Sequence, residues 1–355
     1  MGVKMIELSH IKISLIMMKE MTEIDEFKVN WNVRNLTRLD QLKELKRVST
    51  IESIGSSNRI EGNKLSNIDV ETVLKNIKKQ SFKNRDEEEV AGYSKLLNII
   101  YDSYSTIPIT ENYIKQLHGI LLQHASKDVH HRGEYKKISN AVAAFDATGK
   151  EIGIIFRTAT PFDTPRLMNE LIFWVNNTLE EGFFHPLLVI GVFIVHFLAI
   201  HPFQDGNGRL SRALTALLLL KSGYSYVPYS SMESLIESSK GSYYMALRET
   251  QKTIWDNQVD YQPWLEFFIT ALYKQKQHLE EKIKQIEKTA DLSKNARTVL
   301  DLFNGGEELT SKEISLTTNI NIETVRKILQ KLLKRGDIKR YGTTCTSSYQ
   351  KTEKQ

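Results

Sequence analysis

Apolar residues return at three-to-four spacing along most of this chain, as in Val70, Val73, Leu74 and Ile77, or Leu167, Leu171, Trp174 and Val175. That is the period of one face of an α-helix, and it predicts a mainly helical protein. Helix breakers are sparse: the 355 residues hold 7 prolines and 18 glycines. One region departs from the helical period. Asn140 to Phe145 and Glu151 to Arg157 read as two short strands joined by a Gly-containing turn, Asp146 to Gly149, which predicts a β-hairpin set among helices. Pro161 and Pro165 then punctuate the chain ahead of a helix expected near Arg166. The longest apolar run, Leu187 to Ile200, contains His196 and falls short of the roughly 20 residues that span a bilayer, so it predicts a buried helix.

Toward the C-terminus, Tyr261 to Leu292 reads as a helix that is apolar at first and then heavily charged, the pattern of a connector. Asn295–Phe303, Ser311–Thr317 and Asn321–Arg335 follow as three helical segments, and Gly336 to Thr343 has strand and turn chemistry. Three helices followed by a small hairpin is the layout of a winged helix-turn-helix. The expected organisation is therefore an N-terminal helical region over 1–105, a core over 106–260, a connecting helix over 261–291 and a winged helix-turn-helix domain over 292–355.

Charge sharpens this division. Of 48 basic and 43 acidic residues, 12 and 7 lie between Leu292 and Gln355, which leaves 36 of each elsewhere and puts the whole net charge of +5 in the tail. Such a segment suits a polyanion, with Arg326, Lys327, Lys331 and Lys334 as candidate phosphate contacts, although winged helices also serve as protein-docking modules. The single cysteine, Cys345, excludes an intramolecular disulfide. Charged residues interrupt the apolar positions near the N-terminus before a signal-peptide core could form. A cytoplasmic protein with no membrane contact is the expectation.

The chemistry concentrates in His201-Pro-Phe-Gln-Asp-Gly-Asn-Gly-Arg-Leu-Ser-Arg212, directly after the buried run. Two glycines flanking an asparagine allow tight positive-φ backbone whose N–H groups point inward, a cradle for an anion. A helix from Leu210 to Leu220 beginning at this turn would add its free N–H groups and dipole. Arg209 and Arg212, three apart, could hold different phosphates of one polyphosphate. Asp205 is a hard oxygen donor of the kind Mg²⁺ takes along with phosphate oxygens. His201 titrates near neutral pH and can receive a hydroxyl proton. The plainer alternative is that His-Pro-Phe only ends a helix and Gly-Asn-Gly only turns the chain.

These twelve residues resemble the Fic family signature, H-x-F-x-[D/E]-G-N-G-R-x-x-R, at every specified position: His201, Phe203, Asp205, Gly206, Asn207, Gly208, Arg209 and Arg212. The resemblance extends over about Ile51 to Leu272. It implies a helical Fic core that transfers AMP from ATP to a hydroxyl of a target protein, with Mg²⁺ on the diphosphate. It further implies His201 as general base, Phe203 as buried anchor and Asp205 as metal ligand. Gly206, Asn207, Gly208 and Arg209 would form the phosphate cradle, with Arg212 holding the γ-phosphate. The hairpin corresponds to the family's target-docking flap, and Ile154, Ile155 and Phe156 are either its exposed edge or ordinary hairpin core.

Ser57-Asn-Arg-Ile-Glu61-Gly62 resembles the family's inhibitory motif, [S/T]-x-x-x-E-[G/N]. Autoinhibition would follow, with Glu61 pairing with Arg212 where the γ-phosphate belongs; in some relatives this Glu also assists AMP removal. Gly133-Glu-Tyr-Lys136 lies where relatives often carry Gly-x-[Tyr/Phe]-Arg. Tyr243 and Tyr244 fall where relatives place an aromatic near the adenine, with packing of a helix face as the alternative. His196 reads as a satisfied core histidine, and Trp255 and Trp264 as core anchors. Self-modification and a homodimer are compatible with the resemblance. Two other functions stay open: a DNA-associated regulator that uses the core as a nucleotide sensor, and a Fic-fold phosphotransferase.

Overall fold

The computed structural model describes residues 6–34, 39–77, 82–145, 151–256, 258–290, 293–342 and 347–352, with backbone alone for 32–34, 39–41, 141–145, 151–157, 287–290, 294 and 305. The chain divides into two compact units, Met1–Leu279 and Glu280–Gln355. The expected N-terminal region and core thus share one packed body, which also takes in the first half of the expected connector.

The first unit contains α1 (Leu15–Arg34), α2 (Leu39–Ile60), α3 (Asn67–Asn76), α4 (Arg85–Ser103), α5 (Glu111–Leu121), strands β1 (Ala141–Phe145) and β2 (Glu151–Arg157), α6 (Thr164–Glu181), α7 (Pro186–Ile200), α8 (Asn207–Lys221), α9 (Met232–Ser238), α10 (Lys240–Gln251) and the start of α11 (Gln262–Ala290). The core forms around α7, in which every residue from Leu187 to Ile200 is buried. A helix apolar on all sides needs neighbours on all sides, and α6, α8 and α10 supply them. Trp264 in α11 is buried and its indole N–H donates to the Gly191 carbonyl of α7 at 2.7 Å. His196 meets the hydroxyl of Tyr261 at 2.7 Å, a satisfied core histidine as expected. Trp255, expected as a core anchor, is instead 45% exposed. It follows α10 in an irregular stretch before α11, where no helix face carries it inward.

Local signals set the helix starts. Ser66 caps α3 in a reciprocal box with Asp69, Asn84 caps α4 through the Glu87 N–H, and Thr110 caps α5 through that of Tyr113. Strands β1 and β2 form an antiparallel hairpin in which Val142 faces Phe156 and Ala143 faces Ile154, so Ile155 is passed over in the register, a β-bulge. The turn at 146–150 lies outside the described residues, as do the side chains of Ile154, Ile155 and Phe156.

In the second unit α12 (Lys294–Asp301), α13 (Ser311–Thr318) and α14 (Ile322–Arg335) pack around Val299, Phe303, Ile314, Val325, Leu329 and Leu332. A three-stranded antiparallel sheet accompanies them: β3 (Leu309–Thr310), β4 (Ile338–Tyr341) and β5 (Ser348–Lys351), in the order β3-β5-β4. Among the described residues no helix is long and apolar enough to cross a membrane.

Candidate active site

Helix α7 ends at His201, whose backbone takes the left-handed conformation, φ 52°, with its N–H bonded to the Phe197 carbonyl at 2.9 Å. A non-glycine residue held there costs roughly 1 to 3 kcal/mol, so the surrounding structure must impose it. It does so through the next six residues. Asn207 closes its amide on the backbone of Phe203, accepting the N–H at 2.9 Å and donating to the carbonyl at 2.7 Å. The Phe203 ring is buried and stacks on His118 with centroids 3.8 Å apart. His118 Nδ1 accepts the Gly133 N–H at 2.9 Å, which puts its proton on Nε2, and Nε2 donates to the Asp205 carbonyl at 3.0 Å. Burial pushes the His118 pKa down to about 4, so the ring that supports the loop from below is neutral.

The His201 ring is held in one tautomer. Nδ1 lies 3.3 Å from the Leu198 carbonyl, which can only accept, so the proton sits on Nδ1 and the lone pair on Nε2. Burial, aided by the nearby charge of Lys136, pushes its pKa down to about 4. At neutral pH His201 is an uncharged base.

Gly206 opens α8 with φ 80°. The helix begins at Asn207 rather than at Leu210, so Gly208 sits within its first turn and only Gly206 of the pair takes a positive φ. Gly208 matters for space: a Cβ there would overlap Glu61 Oε1. The Glu61 carboxylate, just beyond the end of α2, therefore lies against the N-terminal turn of α8, where unpaired N–H groups and the helix dipole attract an anion. It is also 2.9 Å from Arg212 Nη2. Arg212 is buried and donates as well to the Ser57 hydroxyl at 2.9 Å and the Ser57 carbonyl at 2.8 Å. Gly62, with φ 99°, turns the chain away after Glu61.

Arg209 serves different carboxylates. Its guanidinium lies 3.1 Å from Asp205 Oδ2 and 3.3 Å from Glu89 of α4. Arg85 joins the same pair, 2.9 Å from Asp205 and 2.8 Å from Glu89. Burial alone would raise the Asp205 pKa, but Arg209, the Gly206 N–H and Arg85 hold it below the usual carboxylate range. Asp205 is thus an ionised oxygen donor at the mouth of the loop.

Lys136 sits beneath this loop. Its ammonium is buried, donating to the Ile200 carbonyl at 2.8 Å, to Asn140 Oδ1 at 2.9 Å and to the Thr158 hydroxyl at 3.0 Å. Asn140 and Thr158 are the residues that flank the hairpin. Tyr243 is buried against Trp264, Phe267 and Tyr244, with ring centroids 5.9, 5.7 and 5.1 Å away, and its hydroxyl also interacts with Arg212. Tyr244 is half-buried beside it. The residues brought together are His201, Asp205, Gly206, Asn207, Gly208, Arg209, Arg212, Ser57 and Glu61. Sequence reasoning passed over Arg85, Glu89 and His118. The Arg85–Glu89 pair, four apart on a helix, and His118 on the apolar face of α5 were visible, but each has a structural reading.

Residues 108–219 match the model of the Fic/DOC family, so a Fic/DOC domain occupies this part of the chain. The protein adenylyltransferase Fic of Aedes aegypti is 29% identical over 187 residues, 52% of this chain and 34% of the relative. The protein of the same name in Drosophila melanogaster is 29% identical over 185 residues, 52% of this chain and 35% of the relative. The matched region spans about a third of the length of these curated relatives. Among solved structures, a Fic family protein from Desulfovibrio desulfuricans superposes with a TM-score of 0.60 at 23% identity, covering 97% of this chain and 98% of the other. A Fic-domain signalling protein from Bacteroides thetaiotaomicron gives 0.60 at 24% identity, covering 75% and 97%. The fold is that of Fic proteins.

Proposed function

We propose that this protein transfers AMP from ATP to a hydroxyl of a protein substrate, and that Glu61 restrains it. The observation that carries this reading is the carboxylate of Glu61 seated on Arg212 and the first turn of α8, beside a neutral His201. A site that draws a carboxylate to a helix N-terminus and a buried guanidinium is built for anionic oxygens, and a triphosphate is the anion that needs such a row of donors. The N–H groups at Asn207 and Gly208 would hold phosphate oxygens, with Arg209 alongside and Gly206 shaping the turn, and Arg212 would hold the terminal phosphate once Glu61 withdraws. The target hydroxyl gives its proton to His201 Nε2 as its oxygen attacks the α-phosphorus, and the bond to the departing diphosphate breaks. The hairpin is the candidate dock for the target segment, by strand pairing.

Among the described residues no three metal-ligating side chains cluster. Asp205, a single ionised carboxylate, fits Mg²⁺, which commonly takes one or two carboxylates and completes its shell with phosphate oxygens and water. Bound there, Mg²⁺ would neutralise charge developing on the diphosphate.

Incubation with Mg²⁺ and α-labelled ATP tests the reading. Weak self-labelling is expected, rising on Glu61→Gly and vanishing on His201→Ala. Equal labelling of all three proteins would refute both the base and the brake, and labelling from γ-labelled ATP alone would make the enzyme a phosphotransferase. The Glu280–Gln355 unit we read as a winged helix-turn-helix. Its third helix, α14, exposes Arg326, Lys327, Lys331 and Lys334, which favours duplex DNA as partner. A cytoplasmic setting accords with the one cysteine.

A further inference from the structure

Lys136 has no part in the reaction as derived, yet it is one of the few lysines withdrawn from water among the described residues. A buried ammonium is costly unless its three protons are bonded, and here each has an acceptor: Asn140 Oδ1, Thr158 Oγ1 and the Ile200 carbonyl. Those acceptors belong to three pieces of chain. Asn140 precedes β1, Thr158 follows β2, and Ile200 is the last residue of α7, immediately before His201.

Further bonds tighten the same knot. The Thr158 hydroxyl lies 2.7 Å from the Asn140 carbonyl and 2.8 Å from its side-chain oxygen. Asn140 donates its amide to the Phe203 carbonyl at 2.9 Å, the carbonyl that Asn207 also holds. The Lys136 backbone N–H bonds to the Pro202 carbonyl at 2.8 Å, on the other side of His201. The residues on both sides of His201 are therefore tied to one lysine and, through it, to both ends of the hairpin.

We propose that Lys136 is a positioning residue that couples the target-docking hairpin to His201, so that seating a target segment on the hairpin and aiming the imidazole at its hydroxyl are one event. This rests on the transfer function proposed above. Burial pulls the lysine pKa down to about 8, in keeping with an ammonium buried with only neutral acceptors. A carbonyl, an amide oxygen and a hydroxyl, rather than a carboxylate, surround it, so the group acts by geometry and not by a fixed ion pair.

The experiment compares Lys136→Met and Lys136→Arg in the Glu61→Gly background, with steady-state labelling of a target protein and hydrogen exchange of the full chain. In Lys136→Met, kcat should fall by about tenfold to a hundredfold and the KM for target should rise, as expected for a base misplaced by about 1 Å, while the KM for ATP holds. Exchange should rise at the hairpin ends and at His201 together, and stay constant in α4. Lys136→Arg should restore both within about threefold, since a guanidinium retains donors for the same acceptors. Thr158→Val keeps the lysine and removes one arm, so it should raise the target KM and lower kcat together, each by less than in Lys136→Met; it also serves if Lys136→Met fails to fold. An equal rise in the KM for ATP, no rescue by arginine, or exchange that changes at one end only would overturn the coupling. Because exchange needs no turnover, it decides the coupling even if no AMP transfer is found.

Discussion

Removing the carboxylate of Glu61 should destabilise the resting protein and make its stability depend on nucleotide. Arg212 is buried, with its side chain 5% exposed, and Glu61 is its anionic partner at 2.9 Å, itself 33% exposed. Stripping one member from a fully buried pair costs about 3 to 5 kcal/mol, because the remaining charge is left without compensation. Two features reduce that figure here. Water reaches Glu61 and screens the pair, and the Ser57 hydroxyl and carbonyl stay bonded to the guanidinium. About 1 to 3 kcal/mol is then expected for Glu61→Ala, which for a unit of this size lowers Tm by about 2 to 6 °C. A triphosphate would supply the missing negative charge, and at a hundredfold excess over Kd a bound ligand adds about 2.7 kcal/mol. In the parent protein the same ligand must first displace Glu61, so its effect should be smaller. Differential scanning calorimetry of both proteins, with and without Mg²⁺-ATP, checks this. A variant that melts at or above the parent temperature without nucleotide, or an equal nucleotide shift in the two proteins, would show that Glu61 does not compensate Arg212.

Two further outcomes are expected. His118 and His201 are both held near pKa 4, below the usual value of about 6.5, so the unfolded chain binds more protons between those limits. The stability lost to these two histidines should therefore grow as pH drops from about 6.5 to about 4, with His118 contributing about 3 kcal/mol, and below about 4 the loss passes to carboxylates such as Asp205. Urea unfolding across that range should show a shallower dependence for His118→Gln, and an unchanged slope would contradict the assignment. In the second unit, Lys327 and Lys334 are exposed and seven apart on α14. Replacing both with glutamate in the full chain should weaken binding to a short DNA duplex and reduce the steepness of its salt dependence by about one to two counterions, read by fluorescence anisotropy; parent binding that ignores salt would exclude a phosphate-contacting surface.

Much of the candidate site could be read in advance because its signals are short-range. The run from Leu187 to Ile200 could only be a buried helix, and His201 to Arg212 carries its chemistry within twelve residues. Even there, short-range reading misplaced a boundary. Gly206 ends the turn by itself, so α8 starts at Asn207, and Gly208 is small for a different reason: a carboxylate from α2 approaches it. Trp255 went wrong in the opposite sense, since bulk and apolarity favour burial but no helix face carries that residue inward.

The sequence by itself determined the helical period, the caps, the hairpin and the composition of the loop after α7, because each depends on residues within a turn or two of one another. Tertiary structure decided which charges meet. Arg212 and Ser57 stand 155 positions apart and Arg85 and Asp205 stand 120 apart, yet both pairs bond at 2.9 Å. The same holds for Lys136, whose three acceptors come from both hairpin ends and the end of α7. Buried polar groups take whichever partners the packed helices deliver to them, and that delivery is a property of the whole fold.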